Sequence, residues 1–210
     1  YGQDKAATYA FMTNQYGKEE STIRRILHRA LLKLQIANNA LPDETKKYIN
    51  DFSKLFSIDI DTTQDILIRR PDVLYIEPQK LKENINTIVE KFKDHGLTTD
   101  NFTACCLKCP ALFTFLPERL EHNVKTLVKK FESNGLDLRS YISCCLKQPQ
   151  LFYQSSDTLE SNVRKIVEKF KDNGLTTDDY IQCCKKQPTL FYLSPDTIEN
   201  NVKGLVEKFK

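Results

Sequence analysis

The stretch PALFTFLPERLEHNVKTLVKKFESNGLDLRSYISCCLKQ, residues 110–148, decides the fold of this 210-residue chain. Similar stretches lie before and after it, and each begins at a proline that recurs every 39 residues, at Pro71, Pro110, Pro149 and Pro188. Repetition at one fixed period predicts a solenoid, in which each unit packs against its neighbours. Three repeats are complete, and the fourth stops in mid-unit at Lys210. The incomplete copy predicts either that the natural protein continues or that a divergent cap is missing.

Each repeat is predicted to hold two α-helices. The longer helix ends at a glycine, because a left-handed residue after a helix costs least without a side chain. These glycines are Gly96, Gly135 and Gly174. The shorter helix begins at a capping residue such as Thr98 or Thr176 and ends before the marker proline. The next longer helix then begins at Leu116-Pro117, Ser155-Ser156 or Ser194-Pro195.

The core is predicted from apolar spacing and from the cysteines. Apolar residues recur three and four positions apart along the longer helix. They are Leu120, Val124, Leu127, Val128 and Phe131, repeated as Leu159, Val163, Ile166, Val167 and Phe170. The shorter helix adds an aromatic residue at Phe102, Tyr141 or Tyr180. The Leu-Phe pairs that follow the last three prolines are expected to wedge between units: Leu112-Phe113, Leu151-Phe152 and Leu190-Phe191.

Six of the seven cysteines form adjacent pairs at one position of the repeat, where the first unit has Ile66-Leu67. Free cysteine behaves as a small hydrophobe, so we interpret the pairs as core packing rather than disulfides. No histidine or further cysteine completes a zinc spacing around Cys109, and we expect no metal. Thiols used as core residues indicate a reducing, intracellular compartment.

The region before Pro71 is degenerate. Residues 21–35 form a predicted basic helix, and residues 42–56 resemble the longer repeat helix without its glycine. We therefore expect an N-terminal cap with degenerate repeats over residues 1–70, in which residues 1–20 form an arm or a cap. Residues 71–210 are expected to form the tandem repeats.

The sequence gives no sign of catalysis, of a cofactor or of a membrane span. The three histidines lie in unrelated contexts, and no glycine-rich phosphate loop occurs. No apolar run approaches the roughly 18 residues that cross a bilayer. The net charge is +3, from 31 basic and 28 acidic residues, so a basic surface can arise only from their arrangement.

Basic residues and asparagines nevertheless recur at the repeat period. A lysine column comprises Lys91, Lys130, Lys169 and Lys208, and an asparagine column comprises Asn84, Asn123, Asn162 and Asn201. A second basic set at the ends of the shorter helices comprises Arg69, Arg70, Lys108, Lys147, Lys185 and Lys186. The basic helix near the N-terminus adds Arg24, Arg25 and Arg29. Positions that change between units include Asn86, Lys125, Arg164 and Lys203.

We interpret these cations as candidate phosphate contacts. The basic set at the ends of the shorter helices and the asparagine column also have structural explanations. Cations at a helix C-terminus interact favourably with its dipole, and the asparagines can bond a neighbouring backbone.

The string GLTTDNFTACCLKCPALFTFLPERLEHNVKTLVKKF, residues 96–131, resembles the repeat of the mitochondrial transcription termination factor (mTERF) family. The shared features are a Gly-Leu turn, a short helix, Pro followed by Leu-Phe, a polar cap and a helix with an Asn-Val step. The likeness covers residues 71–210 well and 40–70 loosely, although the 39-residue unit is longer than expected for the family. GLTTDNF is also similar to the start of a transcription-activator-like effector repeat, but the loop that reads one base is absent.

The mTERF resemblance implies an all-α, right- or left-handed superhelical solenoid, with two α-helices and a short 3₁₀ turn per repeat. It also implies a basic groove that holds duplex DNA, or RNA in some members. The leading hypothesis is a non-catalytic nucleic-acid-binding protein that acts in transcription or its regulation. We favour duplex DNA over RNA, and a monomer.

The alternative is a protein-interaction solenoid, including a host-directed bacterial effector, because such scaffolds commonly bind partners along a curved face and the array is nearly neutral. A mitochondrion and the interior of a bacterial or host cell are equally compatible with the sequence.

Overall fold

The computed structural model describes residues 20–208, of which Glu20 and Ser21 are described by their backbone alone. The arm or cap expected at residues 1–20 lies almost wholly outside the described residues. Residues 20–208 contain ten α-helices and no β-strand. In chain order, α1 to α10 are Glu20–Ala37, Asp43–Phe56, Ile60–Arg69, Pro78–Phe92, Thr99–Lys108, Pro117–Phe131, Leu138–Lys147, Ser156–Lys169, Thr177–Lys186 and Pro195–Lys208. The all-α fold of helical repeats is thus confirmed.

Two compact units share the chain: the first extends to Lys82 and the second begins at Glu83. The boundary between cap and repeats that we place at residue 70 stays a prediction.

The first unit contains α1, α2 and α3 and the 3₁₀ turn Pro71–Tyr75. Ser57 directly follows helix α2 and takes the left-handed conformation that glycine adopts at the same place in the later repeats. Tyr48 joins α2 to the 3₁₀ turn, because its hydroxyl donates hydrogen bonds to the carbonyls of Val73 at 2.7 Å and Ile76 at 2.9 Å. Burial raises the pKa of the Tyr48 phenol, so it stays a neutral donor.

In the second unit each shorter helix begins with a side-chain cap. Thr98 accepts a hydrogen bond from the Asn101 backbone at 3.2 Å, and Thr176 does the same for Asp179. Asp137 takes this place in the middle repeat, where it accepts from the Ser140 backbone at 2.9 Å. The caps satisfy amides that a helix N-terminus leaves without partners, so the predicted starts at Thr98 and Thr176 are confirmed.

The turns before these caps contain the three glycines, with φ of 93° at Gly96, 83° at Gly135 and 82° at Gly174. A short 3₁₀ turn precedes each of them, which the sequence did not predict. These turns are Lys93–His95, Glu132–Asn134 and Lys171–Asn173.

Replacing Gly174 and Gly204 by alanine should have opposite effects on stability. Gly174→Ala should lower the free energy of unfolding by about 1–2 kcal/mol, because it forces a Cβ into the left-handed region although the space around it is open. Gly204 lies within α10 without a positive φ and with open space around it, so Gly204→Ala should raise stability by up to about 1 kcal/mol. Urea unfolding followed by circular dichroism measures both. A loss of stability in both variants would show that φ is not the cause.

Each marker proline opens a further 3₁₀ turn. In the turns that follow α7 and α9, a phenylalanine packs against the shorter helix one step earlier in the stack, α5 and α7 respectively. The ring of Phe152 meets that of Phe102 edge to face, with centroids 5.1 Å apart. Phe191 meets Tyr141 in the same way at 5.6 Å. These contacts place Phe152 and Phe191 as wedges between successive shorter helices, as expected for their Leu-Phe pairs.

The cysteine pairs lie in the same interfaces. Cys106, Cys144, Cys145 and Cys184 are almost wholly buried, and Cys105 is buried too. The Cys105 thiol lies 3.8 Å from the Leu146 carbonyl of the next shorter helix, and Cys144 lies 3.8 Å from that of Lys185. The interpretation as core packing is thus confirmed for five of the six paired cysteines. Cys183 is exposed because no further shorter helix covers it within residues 20–208.

The apolar stripe is buried along α6, but it is less complete toward the end of the chain. In α8 Leu159, Val163 and Ile166 are buried, whereas Val167 and Phe170 are half-buried. Val202, Leu205 and Val206 of α10 are exposed. The physical reason is stacking: each longer helix covers the one before it, and within the described residues none follows α10.

Candidate nucleic-acid interface

Three residues of the lysine column, Lys91, Lys130 and Lys169, bridge neighbouring repeats from the C-terminal ends of the longer helices. Lys91 Nζ lies 3.4 Å from Glu121 Oε2 on the next longer helix, and Lys130 Nζ lies 2.6 Å from Glu160 Oε2. Lys169 pairs with Glu199 in the same arrangement. Lys130 and Lys169 each reach a second carboxylate, at Asp157 and Asp196. These lysines therefore hold successive repeats together.

The same three glutamates also bind a cation one turn further along their own helix. Glu121 pairs with Lys125 at 2.6 Å, and Glu160 with Arg164 and Glu199 with Lys203 at 2.7 Å each. The result is an ion triad at each interface, formed by Lys91, Glu121 and Lys125, by Lys130, Glu160 and Arg164, and by Lys169, Glu199 and Lys203. Sequence reasoning missed these acids, although they recur at the 39-residue period of the lysines.

Two cations beside one carboxylate favour its ionised form. The cations of each triad hold the pKa of Glu121 and Glu160 below the ordinary value, and that of Glu199 falls to about 2. A carboxyl whose pKa is lowered by folding stabilises the fold above its unfolded pKa, and that contribution is lost as the pH falls through the folded pKa.

Glu160→Gln should lower the free energy of unfolding at pH 7 by about 0.2–1 kcal/mol, the range for partly exposed ion pairs. The difference from the wild type should shrink as the pH falls below the ordinary pKa of 4.5, because acid neutralises the same carboxyl. Urea unfolding at pH 7 and pH 3 measures it. Glu132→Gln is the control, since Glu132 forms no ion pair within the described residues. An equal loss at both pH values would contradict the triad as its origin.

Two residues of the asparagine column also link neighbouring repeats by hydrogen bonds. Asn123 Nδ2 donates to the Phe152 carbonyl at 3.5 Å, and Asn162 Nδ2 donates to the Phe191 carbonyl at 3.4 Å. Both acceptors lie in the 3₁₀ turn of the next repeat. At these two positions the expected bond to a neighbouring backbone is confirmed.

The basic residues at the ends of the shorter helices divide into two groups. Lys185 is half-buried and donates to the Gly135 carbonyl at 3.1 Å, so it caps the preceding repeat. Lys108, Lys147 and Lys186, at the 39-residue period, are exposed. Lys147 and Lys186 have no carboxylate within 4 Å among the described residues. Their charges therefore face solvent.

Two half-buried tyrosines contact the residues that directly follow Lys147 and Lys108. The Tyr192 hydroxyl donates to Gln148 Oε1 at 3.4 Å, and the Cys109 thiol lies 3.8 Å from the Tyr153 hydroxyl. Gln148 and Cys109 directly follow Lys147 and Lys108. We call the set Lys108, Lys147, Lys186, Tyr153 and Tyr192 the short-helix edge. It combines cations with rings, a pairing typical of nucleic-acid-binding surfaces.

In the first unit the candidate arginines have different environments. Arg29 donates to the carbonyls of Ile68 at 3.0 Å and Arg69 at 2.9 Å, and so satisfies the C-terminus of α3. Arg69 pairs with Asp65 at 2.8 Å and Arg70 with Asp72 at 2.6 Å. Arg24 and Arg25 are exposed on α1.

Buried thiols supply no activated nucleophile at the interface. Desolvation raises the pKa of Cys105 and Cys144 to about 11, and it raises the pKa of Cys106 and Cys145 well above the ordinary value. Among residues 20–208 no cluster of His, Cys, Asp or Glu is arranged to hold a metal ion. No helix in that part of the chain is long and apolar enough to span a membrane.

The order of the repeat elements agrees with a known family, because the sequence pattern that describes mTERF proteins matches residues 4–210. The chain belongs to the mTERF family. The match also covers the degenerate N-terminal region, where the resemblance seen in the sequence is loose. mTERF proteins are helical-repeat, nucleic-acid-binding proteins, generally non-enzymatic and typically organellar. No curated protein matches this mTERF chain.

Proposed function

We propose that the chain binds nucleic acid along the short-helix edge, with double-stranded DNA as the preferred form, and acts without catalysis in transcription or its regulation. The observation that carries the proposal is the regular placement of Lys147 and Lys186. They are exposed, equivalent in successive repeats and without an acidic partner among residues 20–208, whereas Lys91, Lys130 and Lys169 are engaged in ion triads.

The repeat spacing suits contact with a phosphate backbone. Packed helices lie about 8–10 Å apart, and successive phosphates of one DNA strand advance about 3.4 Å along the duplex axis. One lysine per repeat therefore meets about one phosphate in three. Such contacts supply affinity and register, while sequence preference requires further contacts with the bases.

The ion triads give a second set of candidate contacts. Lys125, Arg164 and Lys203 are more than half exposed, and each triad holds two cations and one glutamate. The neighbouring aspartates Asp157 and Asp196 offset this excess in two of the three triads. Their contribution to phosphate binding is therefore proposed to be smaller than that of the short-helix edge.

Fluorescence anisotropy with a labelled duplex of about 25 base pairs tests the proposal directly. The logarithm of the binding constant should fall linearly with the logarithm of salt concentration between about 0.05 and 0.3 M, since bound lysines release counterions from the DNA. The single strand and a duplex RNA of the same sequence should bind more weakly. Absence of binding at the lowest salt, or affinity indifferent to salt, would contradict the proposal.

A protein-binding solenoid is the second candidate, and the ion triads favour it. Lysines neutralised by glutamates and aspartates leave that surface of the array close to neutral, as on an ordinary solvated face. If this candidate is correct, a protein should co-purify in fixed stoichiometry and remain bound after nuclease treatment. Loss of all associated material on nuclease treatment would favour nucleic acid instead.

A further inference from the structure

A surface cavity of about 260 Å³ lies within the first unit, between helix α1 and the 3₁₀ turn Pro71–Tyr75. Its polar lining comes from Thr22, Arg24, Arg25 and His28 on α1 and from Asp72 and Tyr75 on the turn. None of these residues belongs to the short-helix edge. The cavity is therefore independent of the proposed nucleic-acid interface.

One side of the cavity is cationic. Arg24, Arg25 and His28 lie within about one helical turn of each other, so their side chains reach the same opening. Guanidinium groups form forked, charge-assisted hydrogen bonds with phosphate oxygens, and a phosphate monoester carries more charge than the diester of a continuous strand. The only acid in the lining, Asp72, is paired through Oδ2 with Arg70 at 2.6 Å.

The opposite side of the cavity offers the aromatic ring of Tyr75 and a hydrogen-bond acceptor on Asp72. Tyr75 is 70% exposed, the most of any large apolar side chain in the described residues. Its hydroxyl shares a hydrogen bond of 2.9 Å with His28 Nδ1, and this bond holds the ring beside the arginines. Asp72 Oδ1 has no hydrogen-bond donor among the described residues, although its oxygen is buried. An exposed ring face can stack on a base, and the amino or hydroxyl groups of a nucleoside supply the missing donor.

The size limits the ligand. Pockets for drug-sized ligands and cofactors usually begin at about 300 Å³, so this cavity holds no more than about one nucleotide within its walls. We propose that it binds a nucleoside 5′-monophosphate, either free or as the phosphorylated 5′ end of a strand. The arginines receive the phosphate, and the base stacks on Tyr75.

Isothermal titration calorimetry of the whole chain with AMP at about 0.05 M salt tests the proposal. AMP should bind saturably and more tightly than adenosine or inorganic phosphate, because only AMP uses both sides of the cavity. Tyr75→Ala should weaken AMP binding about tenfold, and the double variant Arg24→Ala with Arg25→Ala should weaken it by about tenfold or more. Lys33→Ala, a charge change on the same helix outside the cavity lining, should leave it unchanged.

Competition identifies the source of the ligand. Displacement of AMP by a 5′-phosphorylated 10-mer, but not by its 5′-hydroxyl form, supports a strand end, whereas displacement by neither supports a free nucleotide. Equal displacement by both would overturn the monophosphate site. So would AMP binding no tighter than inorganic phosphate, or a Tyr75→Ala variant that binds like Lys33→Ala. The duplex titration uses other residues, so the two proposals can fail separately.

Discussion

Phe152→Ala should lower the free energy of unfolding by about 3–5 kcal/mol. The side chain is fully buried, and its ring meets Phe102 of helix α5 edge to face at 5.1 Å. Its removal leaves a cavity at the interface between two repeats, where the 3₁₀ turn and both shorter helices are fixed by other contacts. The surrounding structure can therefore collapse only partly.

Urea unfolding followed by circular dichroism measures this loss, and Leu116→Ala is the matched control. Leu116 is also a large apolar residue of the repeat array, and it lies just before helix α6. Because it is 66% exposed, its truncation should change stability by less than about 0.5 kcal/mol. If Phe152→Ala unfolded with only such a small change, the Leu-Phe pair would not act as a wedge. Because stability in stacked repeats depends on nearest-neighbour interfaces, the loss should also separate the unfolding of the two sides into distinct transitions.

The double variant Lys147→Ala with Lys186→Ala should weaken binding to duplex DNA about 30-fold at 0.15 M salt. Each lysine that leaves a phosphate changes the slope of log affinity against log salt by about 0.9, so two lysines should flatten it by about 1.8. The effect should be similar for unrelated DNA sequences, because phosphate contacts carry no base information. Anisotropy titrations at four or more salt concentrations measure affinity and slope together.

Lys129→Ala with Lys165→Ala is the control for charge alone. Both lysines are exposed on longer helices, and neither has a carboxylate partner within the described residues. This variant removes the same charge and should keep the wild-type slope. Equal losses in the two double variants would assign the binding to net charge rather than to the short-helix edge.

The local features of the fold were predictable because each depends on neighbouring residues in the sequence. The prolines mark helix ends since they exclude helical geometry just before them, and Gly135 marks a left-handed turn for which a side chain is unfavourable. The stripe of α6 follows from spacing alone. Val167 and Phe170 were expected to be buried but are half-buried. Their burial depends on how much of the next repeat covers them, and the spacing of residues within one helix carries no information about that cover.

The candidate site was less predictable, since the partner of a lysine depends on how repeats stack. Lys130 was expected to contact phosphate, and its ammonium instead lies 2.6 Å from Glu160, thirty residues ahead. Nothing local to Lys130 indicates that contact. The equal spacing of Glu121, Glu160 and Glu199 was nevertheless visible, and a comparison of acidic with basic columns would have suggested the triads. Whether Lys130 also meets nucleic acid stays a prediction.

The triads have an evolutionary consequence. Glu121, Glu160 and Glu199 each follow their lysine partner by thirty residues. Loss of residues 110–148 would therefore bring Lys91 to the same distance from Glu160, and insertion of one further unit would preserve the spacing at both junctions. Unequal recombination between neighbouring copies can thus lengthen or shorten the gene by whole units, and each new junction inherits a compatible pairing.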